Sequence, residues 1–383
     1  MTRRPDPLDL FRPAVRRWFE ASFAAPTAAQ ARVWPPIVAG RSTLLLAPTG
    51  SGKTLAAFLA AIDRLMFSTE PPKKERCRVL YVSPLKALAV DVERNLRAPI
   101  AGIAAVAGAS GETFRVPVIG IRSGDTPSAD RARMSRTPPD ILITTPESLY
   151  LLLTSAAREV LRSIDTVIVD EIHSVVASKR GAHLFLSLER LEMLRASDRP
   201  LQRIGLSATQ RPLEEVARLL AGGEPSGKRG AWKPRLVEVV DAGSRKAFDL
   251  TVEVPVEDMA RLGEVLDTPG GPPARRSIWP SIHPRLVELV RAHRSTMIFV
   301  NSRRLAERLA SALNDTAGEE IALAHHCSIA RERRTEIEDL LKRGELPAIV
   351  ATSSRRSTET TPRDRPSRRS SGKPDSSRGA VGT

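Results

Sequence analysis

Ala47-Pro48-Thr49-Gly50-Ser51-Gly52-Lys53-Thr54 is the stretch on which the reading of this chain turns. An apolar run, Thr43 to Leu46, precedes it and reads as a buried strand. Leu55, Phe58, Leu59, Ile62, Leu65 and Met66 follow it, spaced to share one face of a helix. Strand, small-residue loop, Lys-Thr and helix in that order predict a phosphate-binding loop. A helix N-terminus carries unpaired N–H groups and a partial positive charge, so it attracts phosphate. Glycines let the backbone curl round the anion with no Cβ in the way. Thr49, Gly50, Ser51 and Gly52 would form the cradle, with Lys53 reaching the β- and γ-phosphates and the Thr54 hydroxyl holding Mg²⁺. The first position is Ala47 where the strictest pattern has Gly, a difference of one methyl. The competing reading is a glycine-rich turn that only caps a helix.

Outward from the loop, residues 8–222 alternate between short β-branched runs and helical patterns. Strands are expected at Ser42–Ala47, Arg78–Ser83, Arg115–Arg122, Asp140–Thr145, Thr166–Asp170 and Arg203–Ser207, and helices at Leu85–Leu96 and His183–Leu194, among others. Runs apolar on both faces suit parallel strands buried under helices, so an α/β fold is expected. Residues 221–234 are rich in Gly, Pro and Lys and mark a boundary. Residues 223–282 read as a connection with two strands, Arg235–Val240 and Leu250–Val256. The alternation resumes over 283–354: helix His283–His293, strand Thr296–Asn301, helix Arg303–Asn314, strand Ile321–His325, helix Ala330–Arg343 and strand Ala348–Thr352. This predicts a second, partial α/β domain. Residues 355–383 hold Arg, Ser, Thr, Pro and Gly with almost nothing apolar, and are expected to be a disordered tail.

Size and composition agree. At about 150 residues per domain, 383 residues suggest two domains. Hydrophobic residues make up 41 %, enough for sizeable cores, and no apolar run approaches the ~18 residues of a membrane span. The opening residues have no apolar stretch that reads as a secretory signal. Cys77 and Cys327 stand far apart with no paired Cys/His spacing, which speaks against a disulfide framework or zinc site and fits a reducing cytoplasm. The net charge of +15 and pI near 10.7 favour polyanionic partners, nucleic acid above all, although residues 355–383 carry +5 of that excess. With only 4 % aromatic residues, stacking on bases is a poor mode of binding, and gripping the phosphate backbone is the expected one.

Val167-Ile168-Val169-Asp170-Glu171-Ile172-His173 is an apolar strand ending in two carboxylates. At the C-terminal end of a parallel strand such groups face the ligand crevice. Asp170 would hold Mg²⁺ and Glu171 would orient and deprotonate an attacking water; a surface acidic pair is the bland alternative. Leu206-Ser207-Ala208-Thr209 closes another strand, and Ser207 and Thr209 could hydrogen-bond the acidic pair and relay its state. Gln30, in Pro26-Thr27-Ala28-Ala29-Gln30, has an amide able to pair with adenine N6 and N7. Either of these last two stretches alone is as well read as an ordinary turn or helix start.

Together these segments resemble the superfamily 2 DEAD/DEAH-box helicases, most closely the large helicase-related (Lhr) family of ATP-dependent DNA helicases. Ala47–Thr54 is similar to motif I, Asp170–His173 to a DEIH-type motif II, Ser207–Thr209 to motif III, and Gln30 to the adenine-reading glutamine. Ser83-Pro84-Leu85-Lys86-Ala87-Leu88 resembles motif Ia; Ser123–Thr126 and Thr144–Leu149 resemble the Ib region. Ile298–Arg303 resembles motif IV, and Ala351–Ser354 the opening of motif V. The resemblance covers residues 8 to 354. It implies two RecA-like domains that clamp ATP, with Lys86, Arg122 and Thr145 on the first and Asn301, Arg303 and His326 on the second lining a nucleic-acid track. The implied partner is single-stranded or partly duplex DNA, with RNA or a hybrid as the alternative. A non-catalytic nucleic-acid-binding remnant and a DEAD-box RNA helicase are the other readings; the Ile172-His173 ending and the Ser-Pro-Leu-Lys-Ala-Leu segment weigh against the second.

Two departures from the family pattern stand out. Cys327 occupies a position where the resembling family has Gly, which would strain the backbone if a positive φ were needed. After Ser354 the Leu-Glu-Leu-Gly-Ile-Asp stretch expected of motif V is absent, and no motif VI follows. Motif VI supplies an arginine finger worth ~10³ to 10⁵ in rate in related NTPases. The expectation is therefore a C-terminally truncated chain with ATP binding and weak or no motor activity.

Overall fold

The computed structural model describes residues 6–48, 50–195, 197, 199–208, 212–227, 232–243, 250–254, 265–266, 274–275 and 279–352. The chain divides into two compact units, the first ending at Ala247 and the second starting at Phe248.

The first unit is built on seven parallel strands. In chain order these are β1 (Thr43–Leu46), β2 (Val79–Val82), β3 (Ile119–Arg122), β4 (Ile141–Thr144), β5 (Thr166–Val169) and β6 (Gln202–Ser207), joined after a β7–β8 hairpin (Gly223–Pro225, Trp232–Pro234) by β9 (Glu238–Asp241). Their order across the sheet is β3-β4-β2-β5-β6-β1-β9. Helices α1 (Pro13–Ser22), α2 (Ala28–Val38), α3 (Lys53–Phe67) and α4 (Lys86–Ala109) are followed by α5 (Ser128–Arg136), α6 (Pro146–Leu153), α7 (His173–Val176), α8 (Lys179–Leu194) and α9 (Leu213–Ala221).

Strand residues alternate strictly between two cores. Leu45, Tyr81, Ile143 and Ile168 join the cluster that contains α1 to α4, while Leu44, Leu46, Leu80, Val82, Leu142 and Val169 join the one under α6, α8 and α9. A sheet covered on both faces explains why its strands read as unbroken apolar runs. Helix α4 runs thirteen residues past its expected end at Leu96, straight through Pro99. Its buried stripe, Ala89, Val92, Leu96, Ile100, Ile103 and Ala107, keeps the helical period on both sides of the proline, and that burial outweighs the lost hydrogen bond.

Two features of the expected domain layout differ. Residues 238–241 are not part of a connection: β9 pairs in parallel with β1, from Thr43↔Glu238 to Leu46↔Asp241, so the first unit extends beyond 222. The Gly/Pro/Lys-rich stretch is an excursion from which the chain returns to its own sheet. Leu250–Val254 forms no strand among the described residues, and Leu250, Val252 and Val254 are exposed; alternation alone makes no strand without a partner ladder. Residues 255 and 256 of that expected strand lie outside the described residues.

The second unit includes a short antiparallel pair, β10 (Val265–Leu266) and β11 (Ala274–Arg275), then α10 (Trp279–Ala292), β12 (Thr296–Val300), α11 (Arg303–Ala317), β13 (Ala322–His325), α12 (Arg331–Arg343) and β14 (Ala348–Thr352). The last three strands form a parallel sheet in the order β12-β14-β13. Val287, Val290, Ala306, Leu309 and Leu313 cover one face of it, and Ile337 packs on Ile349 at the other. The expected tail, 355–383, lies outside the described residues.

Candidate nucleotide site and nucleic-acid track

Strands β5, β6 and β1 are neighbours and all parallel, so three loops distant in sequence leave the same edge of the sheet. The Ala47–Thr54 loop follows β1, Asp170-Glu171 follows β5, and Ser207-Ala208 ends β6. Backbone bonds lace them together: Ala47 N–H donates to Ser207 O at 3.1 Å and Ile172 N–H to Leu206 O at 3.0 Å.

Gly50 (φ 83°) and Gly52 (φ 77°) hold the left-handed conformation that curls the loop, and Gly52 is the N-cap of α3. Gly52 is required twice, because a Cβ there would also lie 2.6 Å from Gln30 Nε2. Ala47 is fully buried in the core and has no positive φ, so the extra methyl relative to the strict pattern is accommodated as core packing. Lys53 is the first residue of α3, nearly buried, with Nζ donating to Ala47 O at 2.7 Å. Thr54 follows it in the first turn; Thr49 lies outside the described residues. Gln30 closes a capping box with Thr27, accepting the Thr27 N–H at 2.9 Å, and the Thr27 hydroxyl donates to Ser51 O at 2.9 Å. The glutamine is thereby fixed against the loop. Ser51 Oγ is buried with no partner. An orphan hydroxyl inside a curled, lysine-bearing helix start fits a phosphate group well.

Asp170 is nearly buried. Its Oδ1 accepts the Glu171 N–H at 2.9 Å, and its Oδ2 accepts the Tyr81 hydroxyl. Burial first, then the Asp170 and Glu171 charges, push the Tyr81 phenol well above its ordinary pKa, so it stays protonated and donates. Glu171, at φ 44°, is the single non-glycine residue with positive φ among the described residues. Such strain is kept where the surroundings over-determine it. Cys327 is free of it, so the strain expected there does not arise.

His173 sits between the acidic pair and the end of β6. Its Nδ1 accepts the Ala208 N–H at 3.3 Å and lies 3.4 Å from Ser207 Oγ; its Nε2 lies 3.2 Å from Glu171 Oε2. With Nδ1 accepting, the ring proton belongs on Nε2, aimed at Glu171. Among the described residues, Ser207 therefore reaches the acidic pair through His173 and not directly; Thr209 lies outside them. The motif pattern includes His173 without giving it a partner, and Tyr81 belongs to no motif. The available signal was a lone phenol in an otherwise aliphatic buried strand, since a buried hydroxyl needs a partner.

The other half of the same edge, β3-β4-β2, gathers Arg122 at the end of β3, Thr145 after β4 and Lys86 after β2. Lys86 Nζ bonds Asp125 at 2.7 Å, joining the Ia and Ib segments, and Arg131 braces the Ib loop through Gly124 O at 2.7 Å. The Arg122 guanidinium makes no ion pair among the described residues; burial and the Arg131 charge lower its pKa. Thr145 is buried and its hydroxyl caps α6, so what it presents is that helix's N-terminus. In the second unit, Asn301, Arg303 and His326 follow the C-terminal ends of β12 and β13. Asn301 is exposed, Arg303 donates to Ser328 Oγ at 2.6 Å, and buried His326 pairs through Nε2 with Glu307 at 3.0 Å while its Nδ1 has no partner.

A family model described as DEAD/DEAH box helicase matches residues 27–217. The Lhr helicase of Mycolicibacterium smegmatis is 50 % identical across 92 % of this chain, which spans 24 % of that protein. An ATP-dependent helicase Lhr-Core of Methanothermobacter thermautotrophicus is 40 % identical across 90 % of the chain and 38 % of its own length. The chain thus spans about a quarter to two fifths of the curated relatives it matches. The structure of Mycobacterium smegmatis helicase Lhr bound to ssDNA and AMP-PNP superposes with a TM-score of 0.74 at 54 % identity, covering 91 % of this chain and 42 % of that one. Mss116p bound to ssRNA and AMP-PNP, at 16 % identity and a TM-score of 0.62, shares the fold.

Proposed function

The chain belongs to the DEAD/DEAH-box helicases and, within them, to the large helicase-related (Lhr) family, and from that premise we propose an ATP-dependent helicase core acting on DNA. Residues 8–243, with β9 in the same sheet, serve as its ATP-binding domain, and residues 283–352 belong to its second RecA-like domain. The observation that carries the proposal is the meeting of a curled Lys53 loop, an acidic pair and the His173 bridge on three adjacent strand ends. Gln30 stands beside the loop, where it would read the base. Thr49 to Lys53 would cradle the phosphates, and Thr54 and Asp170 would hold the cation. Bound Mg²⁺ supplies charge neutralisation on the phosphate oxygens. Glu171 then orients and deprotonates water, and His173 holds the Glu171 carboxylate while touching Ser207 and Ala208. Thr209, outside the described residues, would serve the same relay.

The relative caught on ssDNA supports a single-stranded or partly duplex DNA partner. Lys86, Arg122, the α6 N-terminus at Thr145, Asn301, Arg303 and His326 are suited to phosphates, so binding is salt-dependent and weakly selective for sequence. Lys53→Ala is expected to abolish binding of a fluorescent ATP analogue; unchanged binding would show the loop assignment to be wrong. Comparing single-stranded DNA with RNA as stimulant of ATP hydrolysis in an intact relative tests the substrate: hydrolysis raised by RNA alone would overturn the DNA assignment.

A further inference from the structure

We propose that Tyr81 is a positioning residue for the divalent cation, its buried phenol fixing the plane of the Asp170 carboxylate; this rests on the nucleotide-site reading above. Tyr81 is fully buried in β2, directly beside Ile168 of β5, two residues before Asp170. Its neighbours in the strand, Val79, Leu80 and Val82, are aliphatic, and a phenylalanine would fill the same space. The ring is held by Phe58 of α3, with centroids 5.3 Å apart, so the helix that begins with Lys53 and Thr54 also sets the phenol. The hydroxyl donates to Asp170 Oδ2 while the Glu171 N–H donates to Oδ1.

Two donors, one on each oxygen, lock the rotation of the carboxylate. Each oxygen keeps a second lone pair for a cation. Groups that orient a metal ligand in this way typically contribute 10- to 100-fold to metal affinity. A phenol that merely satisfied its own burial would contribute to folding and leave the cation unaffected.

The test titrates Mg²⁺ into the full chain with a fluorescent ATP analogue, comparing wild type with Tyr81→Phe. The Mg²⁺ concentration for half-maximal enhancement of binding should rise by about 10- to 100-fold, with binding in EDTA unchanged. A folded Tyr81→Phe protein with an unmoved Mg²⁺ midpoint overturns the proposal. Should that variant not fold, the hydroxyl can be followed in place. The chain has two tyrosines, so 3-fluorotyrosine labelling of a Tyr150→Phe background leaves one ¹⁹F reporter, at residue 81. Its resonance should move when Mg²⁺ is added to the nucleotide-bound protein; a signal indifferent to Mg²⁺ overturns the proposal. If wild type binds no nucleotide with or without Mg²⁺, the nucleotide-site reading fails and this inference with it. If Mg²⁺-dependent binding is present but insensitive to Tyr81, only the positioning role falls.

Discussion

Asp63 lies in α3 ten residues beyond Lys53, and its Oδ1 is buried without a partner. Burial raises its pKa to about 6, against the opposing pull of an Arg12 backbone hydrogen bond and the Arg12 charge. The folded state therefore keeps a proton that the unfolded state releases near pH 4, and stability falls as pH rises from about 4 to about 6, then levels off. The loss is up to about 3 kcal/mol at neutral pH. Asp63→Asn should remove this dependence and raise the melting temperature at pH 7 to 8, with little change near pH 4. Parallel Tm-versus-pH profiles for the two proteins would refute the assignment. At this scale, the residues with motif spacing were readable: Lys53, Asp170 and Glu171 sit in short segments whose order and flanking pattern identify them. Tyr81 and the His173 bridge were not, because their partners are 89 and 35 residues away and meet only across neighbouring strands.

In the first unit the proposed track is made of strand ends and helix starts, and the Lys86–Asp125 pair joins two of them. Lys86 opens α4 and Asp125 lies in the loop after β3, so the contact needs both elements in place. Each side chain is more than half exposed, so the pair itself is worth at most about 1 kcal/mol. A phosphate approaching Lys86 meets the Asp125 charge. Asp125→Asn should therefore tighten binding of labelled single-stranded DNA at low salt by about 2- to 5-fold, and Lys86→Gln should weaken it. Fluorescence anisotropy reads both; an Asp125→Asn protein that binds no better or less well than wild type would show that the acid orients the lysine instead of competing for it. Most elements were legible from apolar period and turn residues, with ends displaced by a few residues. Helix α4 outran its expected end because a buried stripe continued past Pro99, and Leu250–Val254 failed as a strand for want of a partner.

Across the whole molecule, the described residues contain no helix long and apolar enough to cross a membrane. Among the described residues of the second unit β12 is an edge strand, and Met297 and Phe299, on one face of it, are 55 % and 62 % exposed. α12 packs on Leu323 and Ile349 of the other two strands, away from this edge. An apolar, unpaired edge invites self-association. Met297→Lys with Phe299→Glu should lower concentration-dependent association in analytical ultracentrifugation; an unchanged distribution would mean that this edge is not the contact. The amino-acid sequence by itself determined an α/β chain, its parallel strands, the phosphate loop and the acidic pair, because each is encoded locally, by period and by glycine at fixed offsets. Only the tertiary structure decided that β9 belongs to the first sheet, and that three loops spread between residues 47 and 208 share one edge. It also decided that Tyr81 reaches Asp170 and that His173 bridges Glu171 to the end of β6. Strand order is set by which apolar faces bury each other best across the whole sheet, and no local pattern in the chain carries that information.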